Sequence, residues 1–280
     1  MSSIYPNNIF RFIFPKKFNG KRLIHFHVMK TGGTSVNHFF YGLLHNSDFE
    51  NIETRFPKNK DYKTEHFRNQ SKGGKIFMIS NRNQGNVSGN NYTIVRSRLL
   101  RKLKLYSYIH DHNFNPKYLD DKNNYCFSII REPSSKFVSL VKMIFKPKHS
   151  NEIMKFKNEF VGLHDMSIYK SPLKFFNVIK ENKFLYHNQI HTFSKSLNQD
   201  EGISNIKKLS ILMDHSNLQD DFNLMLEKLD LKKTGLGEAK RYKNFHIDEN
   251  FLYDLKNLFY KNNILERDFY KKAQDLYKNQ

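Results

Sequence analysis

Arg22-Leu23-Ile24-His25-Phe26-His27-Val28-Met29-Lys30-Thr31-Gly32-Gly33-Thr34-Ser35 is the stretch on which the fold is decided. Arg22 to Val28 is rich in β-branched and aromatic residues and predicts a strand. Gly32-Gly33 punctuates it. Beyond Thr34 the apolar residues fall at Val36, Phe39, Phe40, Leu43 and Leu44, the spacing of one helix face. A strand, a tight glycine turn and a helix open a nucleotide-binding α/β unit. The glycines let the backbone bend sharply and bring its N–H groups close to an anion. The helix start adds unpaired donors and partial positive charge. Lys30 supplies a full charge, and Thr31, Thr34 and Ser35 supply hydroxyls, so the segment suits a phosphate or sulfate. It is not a Walker A loop, in which the lysine follows the glycines, because here Lys30 precedes them.

Outward from this unit, residues 1–21 read as a lead-in and 46–74 as a polar surface excursion. Strands are expected at Lys75–Ser80, Leu105–His110, Tyr125–Ile130 and Leu209–Met213. Helices are expected at Ile94–Leu105, from Pro133 through Phe145, at Pro172–Ile179, Asn188–Leu197 and Leu218–Leu229, and in one long region from Asp248 to Tyr277. The segment 146–170 is basic and has no clear period. With no repeat and no linker, residues 1–280 read as one domain with its core from about 22 onward. The expected class is α/β, a P-loop-like nucleotide-binding fold with a central parallel sheet flanked by helices.

A second constellation follows the strand at Tyr125. Ser128-Ile129-Ile130-Arg131-Glu132-Pro133-Ser134-Ser135-Lys136-Phe137-Val138-Ser139 places an arginine at a strand end and a proline where a helix begins. Arg131 can fork onto a phosphate, and Ser139, about two turns along, can add a hydroxyl. The two segments together resemble the carbohydrate sulfotransferases that use 3′-phosphoadenosine 5′-phosphosulfate (PAPS), heparan 2-O-sulfotransferase-like enzymes and bacterial relatives among them. In that family an apolar strand leads into P-K-T-G-G-T-S, the 5′-phosphosulfate loop. A strand followed by R-[DE]-P, with a serine eight residues after the arginine, is its 3′-phosphate signature. Met29 stands where the family usually has proline. Softer echoes lie at Asn188–Phe193, Leu209–Leu229, Lys240–Asn244 and Leu265–Ala273.

The resemblance implies transfer of a sulfuryl group from PAPS, as cosubstrate, to a hydroxyl of a sugar or glycan. An acidic glycan fits the basic chain, while a lipid-linked sugar or small alcohol stays open. Lys30, Thr31, Gly32, Gly33, Thr34, Ser35, Arg131 and Ser139 would hold the nucleotide. In-line transfer needs charge stabilisation on the moving group, for which Lys30 is placed, and a base for the acceptor proton. Histidine titrates near neutrality. His110 is the first candidate, because relatives resembling heparan 2-O-sulfotransferases place a catalytic histidine near there; His112 follows closely and His38 is third. The pairs His25-x-His27 and His110-x-His112 put alternate imidazoles on one strand face, but no third ligand has metal spacing, and no metal is expected.

Composition bounds the alternatives. The 280 residues are 38% hydrophobic and 15% aromatic, enough for a core. Lys and Arg number 47 against 27 Asp and Glu, a net charge of +20, which attracts polyanions without choosing among them. Cys126, the only cysteine, lies in an apolar run and reads as buried. No stretch approaches the ~20 apolar residues of a membrane span, and no secretory leader is visible, so a cytoplasmic protein is expected. A kinase using ATP would want a Walker lysine, and a nucleic-acid module a zinc-finger or aromatic RNP pattern. Neither is found, and no nucleic-acid partner is expected.

Overall fold

A computed structural model of the chain describes residues 17–45, 65–68, 75–79, 108–111, 116–145, 162–163, 165–236 and 247–280. Their organising element is a 6-stranded sheet in the order β2-β3-β4-β1-β5-β6. The strands are β1 (Arg22–Phe26), β2 (Glu65–Arg68), β3 (Lys75–Ile79), β4 (Tyr108–Asp111), β5 (Asn124–Ile130) and β6 (Ile211–Asp214). β3, β4, β1, β5 and β6 run parallel, in register Ile76↔Tyr108, Leu23↔Tyr108, Leu23↔Tyr125 and Phe127↔Ile211. β2 pairs antiparallel with β3 at the edge. The α/β class with a parallel sheet flanked by helices is as expected. The edge strand is a correction, since Glu65-His66-Phe67-Arg68 lies inside the stretch read as surface excursion; an edge strand can pair through its backbone without an apolar run to announce it.

The central strands are buried throughout, as parallel strands covered on both faces must be. Alternation along them divides the interior. Ile24, Phe26, Ile109, Cys126 and Ile130 face one layer, completed by Ile190 and Phe193 of α5 (Asn188–Phe193), Ile206 of α6 (Gln199–Lys207), and Phe269, Tyr270 and Ala273 of α9 (Ile264–Lys278). Leu23, Tyr108, Phe127, Ile129 and Met213 face the other, against Val36 and Phe40 of α1 (Gly33–His45) and Phe222, Met225 and Leu226 of α7 (Leu218–Lys228). A third cluster joins α2 (Pro133–Phe145), α3 (Pro172–Glu181), α4 (Lys183–Tyr186) and α8 (Glu249–Asn262) around Phe137, Phe175, Leu185, Leu255 and Phe259.

Cys126 is buried, and burial with the nearby Asp121 charge pushes its thiol up to about 12, where it is an inert core atom. Among the described residues no helix is long and apolar enough to cross a membrane. The expected helix at Ile94–Leu105 and the segment 146–161 lie outside the described residues.

The C-terminal region is two helices rather than one. Asn263 (φ −101°, ψ 63°) ends α8 and caps α9, accepting from the Glu266 N–H at 3.2 Å while its Nδ2 donates to the Tyr186 carbonyl at 2.7 Å. An asparagine that satisfies the backbone groups of two helix ends stabilises the break. α6 falls between the expected elements; Asn198 caps it through the Glu201 N–H, and it carries only a short apolar stripe.

Candidate anion site at the switch point of the sheet

β1 lies between β4 and β5, and the chain leaves β1 and β5 toward opposite faces. α1, after β1, packs on the Leu23–Phe127 face, whereas α2, after β5, joins the cluster of α3, α4 and α8. Where successive connections diverge, a crevice opens beyond the carboxyl ends of the strands, the usual ligand position in open α/β sheets. Both sequence motifs sit at this crevice, the glycine loop after β1 and Arg131 after β5.

The loop is tightly wound. Lys30 and Gly32 take positive φ of 65° and 91°, on either side of Thr31, an alternation that gathers successive N–H groups into a concave nest. The Thr31 hydroxyl is buried and donates to the Val28 carbonyl at 2.9 Å, so it closes the loop instead of facing a ligand. The Met29 N–H donates to Asn188 Oδ1 at 2.9 Å, and the Ser35 N–H to the Gly32 carbonyl at 3.0 Å. Gly32 meets a conformational need, while Gly33 meets a spatial one. A Cβ on Gly33 would stand 2.6 Å from His27 Cδ2 and 2.7 Å from His25 Cε1, so no larger residue fits above these imidazoles. Thr34 and Ser35 open α1, partly exposed.

Arg131 bridges the two motifs. Its Nη1 donates to the Lys30 carbonyl at 3.0 Å and its N–H to Gln189 Oε1 at 2.8 Å. Its Nε is buried without an acceptor. Half-burial pushes the guanidinium below the ordinary arginine range, with Glu132 partly offsetting this. A desolvated cation with an unused donor gains from a bound anion. Glu132 does not compete for it: its carboxylate accepts from the Ser134 and Ser135 N–H groups at 2.8 and 2.6 Å, capping α2. Burial alone would raise that carboxyl, but the two backbone donors hold it below its usual range. Ser139 lies on α2, partly exposed.

Behind Arg131 is a buried ion pair that the sequence did not reveal. Glu266 accepts from the Gln189 N–H at 2.8 Å and the Ile190 N–H at 3.2 Å, and faces Lys136 Nζ at 3.6 Å. Lys136 and Glu266 are 4% and 0% exposed. Burial pushes the Lys136 ammonium below its usual range and Glu266 partly restores it. Gln189 thus ties the ion pair to the backbone of Arg131.

The histidines lie beneath the loop, on the α1 face of the sheet. His110 is buried, with Nε2 against His27 Nδ1 and the ring near Asn37 Nδ2 at 3.3 Å. His25 donates from Nδ1 to Asn37 Oδ1 at 2.7 Å, and the Tyr108 hydroxyl donates to the same oxygen. The rings of His25 and His27 are 5.0 Å apart, on the shared face that alternation implies. Among the described residues no group of three or more His, Cys, Asp or Glu side chains is arranged to hold a metal ion. His112 lies outside the described residues, as does the basic segment Lys240–Asn244; His38 is described only by its backbone place in α1. A further histidine, His215 at the end of β6, touches Gly32.

His25 makes the fold acid-sensitive. Burial lowers its pKa from 6.5 to about 4, with the Asn37 hydrogen bond partly opposing. The unfolded chain therefore binds a proton between pH 6.5 and 4 that the folded chain refuses, and stability falls with pH across that window. At 1.36 kcal/mol per unit the loss reaches about 3 kcal/mol by pH 4. Because burial lowers His191 to about 4 as well, urea unfolding at pH 7 and pH 4 should show at least this loss in the wild type, and a loss smaller by about 3 kcal/mol in His25→Gln. Equal losses would remove His25 as the source.

A scan against protein-family models matches none of them, and a search of curated proteins returns no match. The functional reading rests on the site and on the motif resemblance.

Proposed function

We propose that the chain is a PAPS-dependent O-sulfotransferase acting on a hydroxyl of a carbohydrate or glycan, with the P-loop-like nucleotide site at the switch point. One observation carries the reading: the glycine loop and Arg131 end adjacent parallel strands, and Arg131 reaches the Lys30 carbonyl at 3.0 Å. One nucleotide with anions at both ends can touch both. The loop N–H groups and Lys30 would take the 5′-phosphosulfate, with Lys30 steadying the bridging oxygen as the bond to sulfur breaks. Arg131 and Ser139 would take the 3′-phosphate. For the acceptor proton His110 stays the first candidate and His112 the next; because His110 is buried against His27, the imidazoles of His110 and His27 would act as one unit, His27 being the ring nearer the loop.

Titration calorimetry with adenosine 3′,5′-bisphosphate, adenosine 5′-monophosphate and ATP tests the assignment. The bisphosphate should bind most tightly. Arg131→Ala should weaken it about 10- to 100-fold, the loss of a charged hydrogen bond, and Arg131→Lys should recover only part because a lysine cannot fork. The monophosphate should be much less affected. Preference for ATP would favour the kinase reading, and salt-dependent retention on DNA with no nucleotide binding would favour a nucleic-acid module. Incubation with labelled donor and a panel of glycans would then name the acceptor.

A further inference from the structure

His215 follows β6, two strands away from the glycine loop, yet its ring reaches that loop. A Cβ on Gly32 would stand 3.2 Å from His215 Cδ2 and 3.7 Å from Nε2. Neighbouring strands are about 4.8 Å apart, so the imidazole spans the carboxyl end of β5, the point from which Arg131 emerges. A ligand that touches both the loop and Arg131 therefore meets this ring.

The ring's position is fixed from behind. Asp214, buried at the end of β6, accepts from the Ser216 N–H at 2.9 Å and from the Tyr270 hydroxyl at 2.9 Å, while its own N–H donates to Asp221 Oδ2 at 2.8 Å. The turn His215–Asn217 is thereby anchored to α7 and α9, with the His215 ring next to Gly32. His215 is partly exposed. Burial, and then the Arg131 charge, lower its pKa, and Asp214 opposes them. Those are the charged groups facing it from the β5 end and from β6; the loop presents Gly32 and α7 presents the Leu218 side chain at the same spot. An arriving phosphate would add negative charge where Arg131 now repels the proton.

We propose that His215 is a further contact residue of the nucleotide site, its imidazolium donating a hydrogen bond to a phosphate of the nucleotide that spans the Gly32 loop and Arg131. This rests on the nucleotide reading given above. Binding then brings a proton onto His215.

The test is calorimetry with adenosine 3′,5′-bisphosphate at pH 7 in buffers of different ionisation enthalpy, on the wild type, His215→Ala and His215→Asn. Unliganded melting is measured alongside. The alanine variant should bind about 10- to 100-fold more weakly, the asparagine variant less severely. The wild type should take up more protons on binding than either variant, a difference that mere packing against Gly32 would not produce. Binding within twofold of the wild type and identical proton uptake in both variants would overturn the role of His215 and leave the nucleotide site standing. Failure of the wild type itself to bind the bisphosphate would remove both.

Discussion

Lys30→Gly should lower sulfuryl transfer by about 10²–10³-fold while leaving unfolding stability within about 1 kcal/mol of the wild type. The two halves of that expectation come from different atoms. On the proposed reading the ammonium stabilises charge on the leaving nucleotide, and removing one such preorganised group costs about 3–4 kcal/mol of barrier. The backbone of Lys30 is left-handed, at φ 65°, which an L side chain adopts at a cost of about 1–2 kcal/mol. Glycine relieves that cost and gives back a similar amount through the greater freedom of the unfolded chain. Lys30→Ala keeps the strain that lysine already carries, so it should be as inactive as glycine and equally close to the wild type in stability. Bisphosphate release from the sulfate donor, measured beside urea unfolding, separates the effects. Near-normal turnover in the glycine variant would strip Lys30 of its role.

Glu266→Ala should cost about 3–5 kcal/mol of stability and should also weaken nucleotide binding. The carboxylate serves the Lys136 ammonium and the N–H groups of Gln189 and Ile190, all buried. Without it an unpaired charge remains in the interior, which is more damaging than the absence of the whole pair. The neutral pair Lys136→Met with Glu266→Gln keeps an acceptor for the N–H groups and removes both charges. It should recover to within about 2 kcal/mol of the wild type. Because Gln189 Oε1 receives the Arg131 N–H, displacement of α5 should also loosen the arginine, and bisphosphate affinity should follow stability down in Glu266→Ala and return in the double variant. Full stability in Glu266→Ala would mean that water reaches Lys136.

The parts of this fold that the sequence discloses are the local ones. Arg22 to His45 announces strand, turn and helix by a change of period, and Pro133 marks the start of α2 where the helix begins. What escapes is whatever depends on pairing across the chain. Nothing in Glu65-His66-Phe67-Arg68 distinguishes an edge strand from a polar loop. Asn263 splits the last helical region because its amide reaches Tyr186, 77 residues away. The site divides likewise. Lys30, Gly32, Gly33 and Arg131 are legible as motif residues. Thr31 is chemically a donor in the sequence, but folding commits its hydroxyl to Val28. His215, Gln189 and Glu266 fall in segments that echo the family only softly, and Lys136 lies inside the second motif, but nothing in their spacing joins them to one site; they become neighbours of the motif only when β6, α5, α2 and α9 pack.

The placement of β1 at the middle of the sheet governs how the chain must come off the ribosome. Phe26 accepts at its carbonyl from Ser128, 102 residues later, and β4 and β5 are the partners on either flank. At 5–20 residues per second, roughly 5–20 s separate the emergence of Leu23-Ile24-His25-Phe26 from that of its last neighbour. For that interval this central strand lacks both of its flanking partners, and parallel pairing cannot start from a local hairpin. Newly made chains that meet in this window can join through that strand, a competition that lasts as long as the synthesis of the 102 residues between Phe26 and Ser128.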